Sequence, residues 1–147
     1  MLASIRPDSW NFPLFLHVLG AMMLVGAATV GVTAELVSGH SEDPDRLRRL
    51  AFRTLLLVGL PAYIAMRVGG EWMYSKEFGS SSDDPTWVGI GYTTSDGGGV
   101  ILLLSLVLSG IAARRAKPAL ATTTGIIMAI ALAGWLVAVW AMAGKPG

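Results

Sequence analysis

Four long apolar runs dominate the chain, and the first, Phe12 to Leu36, is broken only by His17, a few Thr and Gly residues, and Glu35 near its end. A helix rises about 1.5 Å per residue, so about 20 residues cross a hydrocarbon layer of roughly 30 Å. The run is therefore long enough to span a membrane. It is also too long for the apolar core of a cleavable signal peptide, and only Arg6 precedes it, so it is expected to stay as the first span. A composition that is 53% hydrophobic and 14% charged agrees that the solvent is lipid.

The second run begins with a helix start signal. Asp43 offers a capping carboxylate, Pro44 suits the first helical position and Asp45 complements the helix dipole. Its membrane part covers about 47–68, with Arg53 and Arg67 near opposite faces and their charges reaching outward along flexible stems. Pro61 removes a backbone donor inside this helix, which predicts a kink. The third span covers about 98–113 and is closed by Arg114, Arg115, Lys117 and Pro118. The fourth covers about 119–143 and ends at Gly144 to Pro146. The expected architecture is all-α: a single polytopic membrane domain built as a four-transmembrane-helix bundle. No internal repeat is visible, so the inverted-repeat signature of many transporters is missing.

Arginine and lysine placement orients the bundle. Arg46, Arg48, Arg49, Arg53, Arg114, Arg115 and Lys117 follow spans one and three, against Arg6, Arg67, Lys76 and Lys145 on the other side. Seven against four puts the first set in the cytoplasm of a bacterial-type plasma (inner) membrane, with both chain ends external. Trp10, Trp72, Trp87, Trp135 and Trp140, joined by Tyr74 and Tyr92, fall toward the external side and are expected to anchor there in the headgroup region.

The connection 69–97 is expected to be an external, turn-rich loop, with Asp84-Pro85 opening a short helix within it. Glu71, Glu77, Asp83, Asp84 and Asp96 lie here, but their spacing matches no calcium loop and solvated acids are the simpler expectation. Gly97-Gly98-Gly99 lacks the Lys and Ser or Thr of a phosphate loop. Net charge +1 without a basic stripe argues against nucleic acid.

At about 100° per residue, His17, Gly20, Ala21, Leu24, Ala28, Gly31 and Glu35 share one face of the first span. Small residues allow close helix approach, and an ionisable side chain on that face turns inward because exposure to lipid is costly. His17 is the sole intramembrane histidine, since His40 falls in the cytoplasmic connection. With no cysteine in the chain, any haem b or copper would need His, Met, carboxylate or carbonyl ligands. The candidate cofactor-binding set is therefore His17 with Met66 or Met142, or with a second His17 across a homodimer. The competing reading makes His17 a packing residue, hydrogen-bonded to a hydroxyl or a backbone carbonyl.

The segment Leu16-His17-Val18-Leu19-Gly20-Ala21 and the ending Val139-Trp140-Ala141-Met142-Ala143-Gly144-Lys145-Pro146-Gly147 resemble small bacterial integral membrane proteins loosely similar to the copper resistance protein D group. The resemblance implies a polytopic inner-membrane protein handling copper or haem, and by matching position it carries over His17 alone. Three function classes follow. The leading expectation is a structural or accessory subunit that packs against other membrane subunits or its own copies within the bilayer. A haem- or copper-binding redox protein using His17 comes second, and a small oligomeric transporter or channel third. A hydrolytic enzyme ranks last, because no Ser, His and carboxylate set lies at one membrane depth.

Overall fold

Asp43 starts the second helix as its chemistry predicts, its Oδ1 accepting from the Arg46 N–H at 3.0 Å with Pro44 at the first helical position. The computed structural model describes residues 8–79 and 85–144, and nearly all of them lie in four antiparallel helices: α1 Asn11–Ser38, α2 Pro44–Glu77, α3 Thr86–Arg115 and α4 Pro118–Gly144. All four are long and apolar enough to cross a membrane. The chain is an all-α four-helix bundle of the multi-pass membrane type.

The bundle is apolar on its outside. Met22, Leu57, Val100 and Ile130 are all more than 60% exposed, an arrangement that suits hydrocarbon as solvent and would be untenable in water. Leu24, Ala28, Leu55, Ala62, Met66, Leu102, Met128, Ala131 and Trp135 form the interior cluster. Helix α1 is the central element, packing on both α2 and α4, while α3 packs chiefly on α4. The first half of α2 also meets α3, so the bundle closes at the end carrying Arg46, Arg48, Arg114 and Arg115. We call this the arginine end and the opposite one the aromatic end.

The small-residue face of α1 is the buried one, as its periodicity predicts: Gly20, Leu24, Ala27, Ala28, Gly31, Ala34 and Glu35 are all interior. A Cβ on Gly20 would stand 2.5 Å from the Met66 nitrogen and 2.8 Å from the Ala62 oxygen, and one on Gly69 would stand 2.5 Å from the His17 nitrogen. Two glycines thus bring α1 and α2 into backbone contact from both sides.

Pro61 is accommodated by a change of winding. The turn Leu55–Gly59 is a π-turn, in which the Leu60 N–H donates to the Leu55 carbonyl five residues back. An ordinary α-turn here would press the carbonyl of Leu57 against the proline ring and leave it without its donor. The wider turn relieves both.

Two expectations are corrected here. The segment 69–97 is not a long loop: α2 continues to Glu77 and α3 already begins at Thr86, running 30 residues to its end at Arg115. In a lipid setting backbone groups are best satisfied within a helix, and side chains of the two extensions support each other laterally. Tyr74 meets Tyr92 edge-on at 5.6 Å and Phe78 at 5.2 Å, and Phe78 meets Trp87 at 6.1 Å. Gly98 and Gly99 lie inside α3 and leave room for the Trp135 indole and the Tyr63 ring. The second correction follows: Trp135 is 3% exposed and belongs to the interior, not to an interfacial belt. Asp83, Asp84 and Ser80 to Ser82 lie outside the described residues.

Candidate functional site

Helix α1 points His17 at the main chain of α2. Its Nδ1 lies 2.8 Å from the Met66 carbonyl oxygen, and its ring sits over Gly70, where a Cβ would come within 3.0 Å of Nδ1. A carbonyl oxygen only accepts, so Nδ1 carries the proton, and in the neutral ring Nε2 keeps its lone pair. His17 and Met66 are thus brought together, through the carbonyl of Met66 rather than its thioether. The Met66 side chain is packed in the interior cluster, only 8% exposed. Met142 lies on α4 with its terminal methyl over Gly91 of α3, where a Cβ would come within 2.1 Å of it. His40 is exposed in the turn after α1.

At the aromatic end a charged group joins α2 to α3. The Arg67 guanidinium is 3.1 Å from Glu71 and 3.1 Å from Asp96, and it lies 5.1 Å above the Tyr92 ring. The Tyr92 hydroxyl donates to Glu71 Oε2 at 3.0 Å. Arg67 was expected to reach outward and the acids to stay solvated. Glu71 and Asp96 are exposed, and from there they also hold the guanidinium between the helices, where α2 and α3 diverge and only long side chains bridge them. Deeper in, the Tyr63 hydroxyl donates to the Ser95 carbonyl at 3.3 Å.

A third polar group, at the arginine end, was not singled out from the sequence. Glu35 is 1% exposed although it lies only one turn before the end of α1. Ser109 of α3 donates its hydroxyl to Glu35 Oε1 in a short hydrogen bond. From α4, Gly125 makes space beside the Glu35 stem, and from α2 comes Arg48, its side chain 4% exposed and paired with Asp45 at 3.2 Å. All four helices therefore meet around one carboxylate. The signal was present in the sequence: Glu35 shares the small-residue face of α1, and Ser105 and Ser109 stand one turn apart on α3.

Among the described residues no group of three His, Cys, Asp or Glu side chains is arranged to hold a metal ion. No family model, curated protein or solved structure matches the chain.

Proposed function

We propose that the chain is an accessory subunit of a bacterial plasma-membrane assembly, a helical body whose outer faces receive other membrane subunits or further copies of itself. The supporting observation is how its interior is filled. Backbone contact at Gly20 and Gly69 closes the space between α1 and α2, while Trp135, Tyr63 and Leu36 occupy the room left by Gly98, Gly99 and Gly125. A bundle filled in this way offers its outer surface, rather than an internal chamber, for interaction. In this reading the arginine end faces the cytoplasm and both termini face outward, following the bias of positive charge. The test is native electrophoresis after solubilisation in mild detergent. The chain should migrate in a complex far larger than its own 15.5 kDa when taken from its native membrane. Migration as a single chain would overturn the reading.

A second reading, a haem b or copper site at His17, is supported by the hydrogen bond from His17 Nδ1 to the Met66 carbonyl. Ligating imidazoles commonly donate their other N–H to a carbonyl in this manner, which fixes the ring and leaves Nε2 to the metal. The resemblance to the copper resistance protein D group points the same way. One chain supplies one such nitrogen, with Met66 and Met142 engaged elsewhere in the fold, so the second donor in this reading is the His17 of another copy. Bound iron porphyrin would supply one-electron redox chemistry there, and His17 would hold it through its Nε2 nitrogen. The visible absorption spectrum and copper content of the purified protein decide it, a colourless and copper-free protein after haem and copper supplementation counting against.

A further inference from the structure

Five buried side-chain atoms have no hydrogen-bond partner among the described residues: Glu35 Oε2, Arg48 Nε, Ser95 Oγ, Ser105 Oγ and Trp135 Nε1. They are not scattered. Ser95, Gly98, Leu102, Ser105 and Ser109 recur every three or four residues and are all buried, so they form one inward face of α3. Trp135 Nε1 lies over Gly98 of that face, and Glu35 meets it at Ser109. Buried polar atoms in native proteins nearly always have partners, so the unpaired Glu35 Oε2 at the Ser109 end of this face raises the question of what it binds.

Glu35 is the centre of this set. Among the described residues it is the one buried carboxylate, with Oε1 held by Ser109 and Oε2 unpaired. Arg48 does not neutralise it directly, because the guanidinium is paired with Asp45 instead. The neighbours of Glu35 on the other two helices carry no ionisable function: Ser109 on α3 and Gly125 on α4. We propose that Glu35 is an exchangeable proton-binding site, taking its proton from the aqueous phase at the arginine end one helical turn away. In the ionised form the carboxylate accepts from Ser109. In the neutral form the new O–H donates to an acceptor on the same face of α3, where the Ser105 hydroxyl is unpaired. The exchange is a simple transfer, in which hydronium gives a proton to the carboxylate and leaves as water.

The ligand is a proton rather than a metal cation for two reasons. A hard cation needs several oxygen ligands, and here a single carboxylate has only serine hydroxyls beside it. The nearby guanidinium of Arg48 disfavours any added cation, metal or proton, but a proton alone removes charge from the low-dielectric interior without needing further oxygen ligands.

Infrared difference spectroscopy on the full chain in phosphatidylcholine vesicles tests this. Stepping from about pH 9 to about pH 3, a range that crosses ordinary carboxyl titration, should bring up the carbonyl band of a protonated carboxylic acid in an apolar setting. Glu35→Gln should remove that band and Glu42→Gln, an exposed acid in the turn after α1, should leave it. Ser109→Ala, which keeps the carboxyl, should retain the band at a higher frequency and serves if Glu35→Gln fails to fold. A hydrophobic carbodiimide, which attacks only the protonated acid, should modify Glu35, with labelling falling about tenfold per pH unit above the midpoint. A wild-type protein with no such band at any pH, or a band that survives Glu35→Gln, overturns the proposal. So does a midpoint that moves when sodium replaces a bulky organic cation, since that outcome assigns a metal-ion site.

Discussion

The imidazole of His17 is tied to the carbonyl oxygen of Met66 at 2.8 Å, a side chain of α1 bonded to the main chain of α2 within the bundle. The bond settles the orientation of the ring and, with it, the nitrogen left for anything else to use. His17→Ala should remove an interhelical hydrogen bond worth about 1 kcal/mol in a membrane setting. Thermal unfolding in detergent should show that modest loss with insertion unaffected. If His17 also carries haem or copper, the same variant should lose all bound cofactor, while His40→Ala should change neither stability nor cofactor content.

Gly20→Ala and Gly69→Ala should each destabilise the bundle by about 2 kcal/mol or more, because the added methyl meets backbone atoms that have no rotamer by which to retreat. Gly31→Ala should cost less, since the atom it meets is the end of the flexible Leu55 side chain at 3.0 Å. Gly26→Ala meets nothing within 4 Å and should be neutral or slightly stabilising, as replacing a mid-helix glycine favours the helix. Unfolding midpoints for the four variants provide the ranking, and equal tolerance at Gly20 and Gly26 would show that the α1–α2 contact is not as close as described.

Ala116 adopts φ 48°, the left-handed conformation that closes α3 before Pro118. A Cβ in that region costs about 1 kcal/mol or more. Ala116→Gly should therefore stabilise the protein by up to about 1 kcal/mol, after allowing for the greater freedom glycine has when unfolded. Denaturation followed by circular dichroism would measure it, and a lower midpoint would refute the account of how α3 ends.

Cysteines introduced at Glu42 and Glu77, both exposed at opposite ends of the bundle, should react with an impermeant maleimide from opposite sides. With the arginine end inside, Glu77→Cys labels in intact cells and Glu42→Cys only after permeabilisation. The reverse pattern would invert the orientation.

Features set by local chemistry were legible before the structure: the Asp43 cap, Pro44 at the first turn, and the packing face of α1, where a period of about 3.6 residues collects small side chains. What escaped was governed by neighbours distant in sequence. The third span was expected to open at Gly98 after a turn-rich loop, yet the helix begins at Thr86, and Trp135 and Tyr63 fill the space that Gly98 and Gly99 leave, so packing outweighs their poor propensity. Trp135 itself was assigned by its position along the chain, whereas the side of α4 on which it stands decides its burial. Arg48 counted as one of several solvent-facing charges, although Asp45 three residues earlier was spaced to pair with it. Glu35 was placed on the right face, but its importance comes from Ser109, which lies 74 residues away in the chain.

The π-turn at Leu55–Gly59 amounts to one surplus residue taken up inside a continuous rod. Elsewhere in α2 ahead of Arg67, losing a residue would rotate one half against the other by about 100°, swinging Gly69 off His17 and Arg67 away from Asp96. Within this turn alone, the rod can be shortened by one residue and both halves keep their phase. Pro61 stands guard over that tolerance: the shortened, ordinary turn would bring a carbonyl back against its ring. Length and proline are therefore coupled in this helix, and a lineage that drops a residue between Leu55 and Gly59 should have replaced the proline as well.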